Sequence, residues 1–150
     1  MTSGLTDKLV IRKATLADLD AIKAIADAHR RELGFVLRPA LAESIEREEV
    51  LVAENHQELI GFVEYHHRQD EQTTLYHIVV APDYRRRGIG RRLIERLADE
   101  ARMAGKEFIA LKCPVTLPAN DFYAHTGWSL VSGEAGKRRP LNLWRFVLGG

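Results

Sequence analysis

Residues 75–104 read LYHIVVAPDYRRRGIGRRLIERLADEARMA, and the way this stretch parses decides the fold. Leu75, Ile78, Val79 and Val80 form a short apolar, β-branched run that suits a buried strand. Pro82 and Asp83 end it, because proline has no N–H for a ladder and aspartate favours turns. Arg85-Arg86-Arg87-Gly88-Ile89-Gly90 follows as a tight glycine loop. Beyond it, Ile89, Leu93, Ile94, Leu97, Ala98 and Ala101 recur along one helical face, predicting a helix over 88–104 with Gly105 at its C-terminal cap.

Such a loop suits an anion. The first N–H groups of a helix lack intrahelical partners, and the macrodipole places partial positive charge there. Glycine lets a phosphate approach the backbone without a Cβ in the way. Arg85, Arg86, Arg87, Arg91 and Arg92 can add charge-assisted bonds to a pyrophosphate. Three blander readings compete: a mere turn, a solvated basic face, and a nucleic-acid patch. The loop is not a P-loop, for it lacks Lys followed by Ser/Thr. Nor is it the dinucleotide fingerprint, whose third glycine position holds Leu93.

A strand, V-x-P-x-Y and then R-x-x-G-x-G opening a helix resembles the acyl-CoA-binding motif of the GNAT acetyltransferase superfamily. A second block, Asn120-Asp121-Phe122-Tyr123-Ala124-His125-Thr126-Gly127-Trp128, is similar to the superfamily's later motif, a helix ending in Y-x-x-x-G-[F/W]. The two occur in the right order with compatible spacing, and with the element order the resemblance covers nearly the whole chain.

The rest of the sequence is consistent with such a protein. At 150 residues the chain reads as one domain able to bury a core without staples. The formal net charge is +1, so no global field attracts nucleic acid or membrane. One cysteine, Cys113, excludes an intrachain disulfide. No apolar run approaches a membrane span, and the opening MTSGLTDK has no signal-type apolar core, so cytoplasm is the expected compartment.

In order, residues 8–14 suit a first strand. Thr15 and Asp18 suit a helix start, and a stripe of Leu16, Leu19, Ile22, Ile25 and Ala26 runs to about Arg31, with Gly34 as the stop. Phe35, Val36 and Leu37 are apolar within an expected loop; Phe35 and Leu37 either plug the core or shape an acceptor site. Pro39 opens a second helix over 39–48 with Leu41 and Ile45 inward. Residues 50–54, 58–66 and 73–80 read as an antiparallel meander, and 107–113 as a strand able to lie parallel to the last of these. A short helix from Pro118 to Thr126 and a hairpin of 128–132 with 141–148 complete the chain. The expected class is α/β, a GNAT-type mixed sheet in the order βααβββαβαββ with one parallel crossover.

The resemblance implies transfer of an acyl group, most often acetyl, from coenzyme A to an amine, by direct transfer in a ternary complex. It gives the pyrophosphate to the Arg86–Arg91 backbone within Arg85–Arg92. It pairs the pantetheine arm with the backbones of Ile78 and Val80, and places the oxyanion donor at an N–H near Ile78 or Val79. A bulge in that strand is expected to part it from 107–113. Tyr123 is the expected acid for the departing thiolate: model values are about 10 for a phenol and about 8.5 for a thiol. The alternative is a buried tyrosine tied to backbone. Asn120 either holds pantetheine or caps its helix. The base is open. Where many relatives carry a glutamate this chain reads Leu111-Lys112-Cys113, leaving Tyr76, His77, Glu64, His66, His67 or a water relay. Cys113 reads as a small buried apolar residue, and no acyl-enzyme or metal is expected. The acceptor, a small-molecule or peptide amine, is expected to be set by 29–38 and by the 133–140 link with Lys137-Arg138-Arg139; a monomer or homodimer fits equally. The competing class is a nucleic-acid-binding or CoA-sensing module built on Arg85–Arg92. Near-neutral charge and the lack of an aromatic stacking strand argue against nucleic acid.

Overall fold

Strand alternation and tight turns build the first part of the sheet. In the computed structural model, which describes residues 9–135 and 140–149, β1 (Leu9–Lys13) pairs antiparallel with β2 (Val50–Asn55), and β2 pairs antiparallel with β3 (Glu58–His67). His56 and Gln57 join β2 to β3, both at positive φ, as in the two-residue turns whose twist matches a hairpin. β4 (Gln72–Val80) follows, then β5 (Phe108–Pro114), β6 (Ser129–Ala135) and β7 (Pro140–Val147). The order across the seven-stranded sheet is β1-β2-β3-β4-β5-β7-β6. β4 and β5 form a parallel pair, so the expected crossover is present.

The described chain divides into two compact units. The first comprises residues up to His66 together with Tyr76–Leu97. A 3-10 turn at Leu16–Asp18 leads into α1 (Leu19–Ala28), then α2 (Arg30–Leu33), α3 (Arg38–Glu46) and the start of α4 (Ile89–Met103). Ile22 and Ala26 of α1 and Leu41 and Ile45 of α3 join Val50, Val52, Phe62 and Val79 in one core cluster. Each large apolar side chain so buried contributes about 2 kcal/mol. Period-2 alternation therefore puts Glu64 on the same face of β3 as Phe62, and His77 on the same face of β4 as Val79. α4 buries the predicted stripe, and Arg96 ties it to β1 by donating to the Ile11 carbonyl at 3.1 Å.

The first helix departs from expectation. It was expected to run on to Arg31, yet α1 ends at Ala28. His29 turns to φ −115° with its Nδ1 bonded to the Ile25 carbonyl at 2.9 Å, and α2 restarts as a single turn closed by Gly34 at φ 75°. Its start is a capping box: the Thr15 N–H donates to Asp18 at 2.8 Å, and Arg12 clamps the same carboxylate at 2.8 and 3.0 Å. Of the apolar trio 35–37, Val36 is the core plug; Phe35 and Leu37 are 78% and 65% exposed.

The second unit comprises His67–Leu75 and the chain from Ala98 onward. β5 pairs antiparallel with β7, which lies between β5 and the hairpin partner β6. α5 (Ala119–His125) precedes Gly127, whose φ of 93° suits glycine. Arg102 of α4 donates twice to the Leu148 carbonyl, at 3.1 and 3.0 Å. Lys137, Arg138 and Arg139 lie outside the described residues.

Candidate active site

The loop before α4 has the geometry of an anion cradle. Arg86 sits at φ 63° and Gly88 at φ 80°. A Cβ on Gly88 would meet nothing within 4 Å, so backbone conformation, and not space, is what asks for glycine there. The first intrahelical bond runs from the Arg92 N–H to the Gly88 carbonyl at 3.0 Å. Among the described residues, the N–H groups of Arg86, Arg87, Gly88, Ile89, Gly90 and Arg91 find no protein acceptor. Ile89 is buried and anchors the turn, while Arg85, Arg86, Arg87, Arg91 and Arg92 are exposed. Arg85 donates through Nε to the Val80 carbonyl at 2.9 Å, and Arg87 lies over the Tyr84 ring at 5.7 Å. Arg86, Arg91 and Arg92 keep their guanidinium groups uncommitted among the described residues. Positive-φ residues that turn successive N–H groups inward, ahead of a helix N-terminus, attract a diphosphate.

Among the described residues, the parallel ladder of β4 to β5 covers Gln72, Thr73 and Thr74. At the other end of β4, the Ala81 N–H donates to Ile60 of β3 at 2.7 Å. A Cβ on Gly61 would stand 2.7 Å from the Val79 carbonyl oxygen. β3 and β4 therefore approach closely at Val79, which only glycine at position 61 permits. With Ala81 bonded toward β3, alternation points the peptide groups of Ile78 and Val80 away from β3. The Val80 carbonyl accepts from Arg85 Nε.

Tyr123 of α5 is 4% exposed, packed edge-on against Phe122 and Trp128 with ring centroids 5.5 and 5.3 Å away, and 6.1 Å from Trp144. Its hydroxyl has no hydrogen-bond partner among the described residues, and it is not among the sealed polar atoms lacking one. Among the described residues it is not tied to backbone. Burial pushes the phenol pKa well above its usual value, with the adjacent Cys113 adding to the rise, so the group is held protonated. Asn120 is fully engaged within the protein. Its Nδ2 donates to the Pro114 and Leu117 carbonyls at 2.9 and 2.8 Å, and its Oδ1 accepts from Asn142 Nδ2 and Trp144 Nε1 at 3.1 and 2.9 Å. Both donors and both lone pairs are taken. Asn120 thus fixes the start of α5 against β7 and has no group left for pantetheine.

The base candidates separate by environment. Tyr76 is exposed, and His67 Nδ1 bonds Thr73 Oγ1 at 2.7 Å. His66 Nδ1 bonds Glu49 Oε1 at 2.8 Å. His77 Nδ1 bonds Glu64 Oε1 at 2.8 Å, and Glu64 Oε2 accepts from Ser44 Oγ at 2.7 Å. Glu64 is 5% exposed. Among the described residues no group of three or more metal-type ligands is assembled, and no helix is long and apolar enough to cross a membrane.

Comparison with known proteins settles the lineage of this arrangement. The acetyltransferase (GNAT) family profile matches residues 19–128. The chain belongs to the GNAT acetyltransferase family. No curated protein sequence matches it significantly. Among solved structures, Ard1 from Thermoplasma volcanium superposes with TM-score 0.85 at 15% identity, over 95% of this chain and 99% of that one. N-acetylglutamate synthase from Neisseria gonorrhoeae, complexed with coenzyme A and N-acetyl-glutamate, gives 0.83 at 19% identity over 95% of this chain. The present chain covers only 35% of that longer protein. YncA from Salmonella typhimurium, with its cofactor acetyl-CoA, gives 0.77 at 23% identity over 95% of each chain. At these identities the likeness is one of fold.

Within this GNAT chain, reading the sequence missed Ser44. The signal was there: Ser44 follows Leu41 by three residues and precedes Ile45, so it lies on the buried stripe of α3. A serine on an apolar stripe needs a buried partner.

Proposed function

We propose that this chain transfers an acetyl group from acetyl-CoA to a primary amine by direct attack within a ternary complex. The observation that carries the reading is the run of N–H groups from Arg86 to Arg91, turned by positive φ at Arg86 and Gly88 and left without protein acceptors. In this reading those groups and the uncommitted guanidiniums of Arg86, Arg91 and Arg92 hold the diphosphate, and Ile89 and Gly90 set the turn. Ile78 and Val80 lend their outward peptide groups to the pantetheine arm, and an N–H at Ile78 or Val79 steadies the oxyanion.

The chemistry balances simply. An ammonium acceptor sheds two protons in becoming an amide. The amine nitrogen attacks the thioester carbon, the C–N bond forms, and collapse of the tetrahedral intermediate breaks the C–S bond with the electron pair leaving on sulfur. One proton ends on that sulfur and one in solvent. Tyr123 supplies the proton to sulfur and is reprotonated by a proton that the nitrogen sheds as the amide forms. Its raised pKa makes it a poor donor to a solvated thiolate, so the step asks for a desolvated thiolate, whose own pKa desolvation raises likewise. Phe35, Leu37 and Arg30, whose guanidinium lies 5.0 Å from the Phe35 ring centroid, present an exposed surface suited to the acceptor's non-reacting part.

The test is binding followed by turnover. Acetyl-CoA at a hundred times its Kd stabilises the protein by about 2.7 kcal/mol. A screen of amines, amino acids and peptides, read by thiol release, then identifies the acceptor. Absence of saturable acetyl-CoA binding, together with RNA binding that falls steeply with salt, would replace this reading with a nucleic-acid module.

A further inference from the structure

We infer that Ser44, Glu64 and His77 form a relay in which His77 Nε2 is the general base for the acceptor ammonium. The inference rests on the acetyl-transfer reading above and names the group that reading leaves open.

An ionised glutamate only accepts hydrogen bonds. Glu64 accepts at one oxygen from the Ser44 hydroxyl, 2.7 Å away, and at the other faces His77 Nδ1 at 2.8 Å. In the Nδ1–H tautomer His77 donates to this carboxylate and presents its acceptor at Nε2. Nε2 has no partner among the described residues, and the His77 side chain is 23% exposed, so the ring can be reached by an incoming group. The three residues come from three elements: Ser44 from the core stripe of α3, Glu64 from β3 opposite Val50, and His77 from β4. All three lie on the face that otherwise buries Leu41, Ile45, Val50, Phe62 and Val79. A serine and a glutamate on a core face cost stability unless they satisfy each other, and here both are spent on fixing one imidazole.

Position along the chain adds to this. His77 is the residue immediately before Ile78, whose backbone the proposed function gives to the pantetheine arm. The base thus sits one residue from where the thioester would be held. His66, with Glu49, lies further along the same face of β3, since 62, 64 and 66 alternate together. It is the nearest competing imidazole, and Glu64 and Glu49 are the carboxylates bonded to this pair. His77 Nε2 takes one proton from the ammonium to give the attacking amine and passes it to solvent as the imidazole recovers. His77 is the catalytic residue; Glu64 and Ser44 are positioning residues.

The test uses the full chain and the best acceptor from the thiol-release screen. His77→Ala is expected to lower kcat at least 100-fold with the acetyl-CoA Kd within twofold of wild type, and added imidazole is expected to restore part of the rate. His77→Gln, which preserves bulk, gives the same loss should the alanine variant fold poorly. His66→Gln is expected to retain kcat within threefold. Nitrogen-15 NMR of labelled histidine is expected to show His77 as the Nδ1–H tautomer in the wild type and to lose that preference in Glu64→Gln. Wild-type turnover with undiminished kcat in both His77 variants overturns the relay while leaving acetyl transfer standing. Loss of rate in His66→Gln but not in the His77 variants overturns it in favour of His66. A wild type that neither binds acetyl-CoA nor releases thiol overturns relay and function together.

Discussion

Replacing Tyr123 with phenylalanine removes one oxygen from a position where the surroundings make the result easy to read. The ring stays wedged against Phe122, Trp128 and Trp144, and the lost hydroxyl had no protein partner among the described residues. Stability at neutral pH should therefore change by no more than about 0.5 kcal/mol. Catalysis should change much more. A positioned general acid contributes 10²–10⁴-fold, so even the lower bound raises the barrier by about 2.7 kcal/mol. The assay is thiol release at saturating acetyl-CoA and acceptor, with cofactor affinity measured by calorimetry; kcat should fall about 100-fold or more at unchanged affinity. The raised pKa gives an independent alkaline signature. Above pH about 10 an unfolded tyrosine ionises while folded Tyr123 stays protonated, so the native state binds more protons and loses stability as pH rises. The slope is about 1.4 kcal/mol per pH unit for this one group, and the phenylalanine variant should lack it. A kcat within twofold of wild type would remove Tyr123 from the mechanism. Equal alkaline melting of the two proteins would contradict the burial argument.

Gly61→Ala places a methyl 2.7 Å from the Val79 carbonyl and should cost about 1–3 kcal/mol in thermal or urea unfolding, with weakened acetyl-CoA affinity as β4 is pushed away from β3; unchanged stability would mean β4 yields freely. Gly88→Glu should abolish acetyl-CoA binding in calorimetry by bringing negative charge to the cradle, whereas Gly88→Ala, with nothing within 4 Å, should show only the strain of φ 80°, about 1–2 kcal/mol. A Gly88→Glu protein that folds and binds normally would void the loop assignment. Asp18→Asn should destabilise by about 1–3 kcal/mol at neutral pH through loss of the Arg12 clamp. Arg12 holds the Asp18 carboxyl below its usual value of 3.8, so that contribution is complete above this pH and fades as pH falls through the folded value. Wild type and variant melting curves should then converge in acid.

The parts of the fold visible in the sequence were those whose signal is local. The stripe from Ile89 to Ala101 and the stops at Pro82 and Gly105 each carry their own chemistry, and the helix and strand they imply are present. The break at His29 was not visible, because it depends on a ring nitrogen reaching back to a carbonyl in the preceding turn. Of the trio 35–37, hydrophobicity alone could not say that Val36 goes inward and its neighbours outward. In the candidate site, the glycine loop was legible because spacing encodes it. The engagement of Asn120 by Asn142 and Trp144, and of Glu64 by Ser44 and His77, joins residues 13 to 24 positions apart, which no window of sequence reveals.

The central claim is that the helix-opening amides receive a diphosphate. Amide NMR during titration with acetyl-CoA tests it directly. The account predicts that the Arg86–Arg91 N–H resonances move most, downfield and saturably, with Ile78 and Val80 next. Saturable binding that leaves those amides unmoved, or no binding at all, would contradict it.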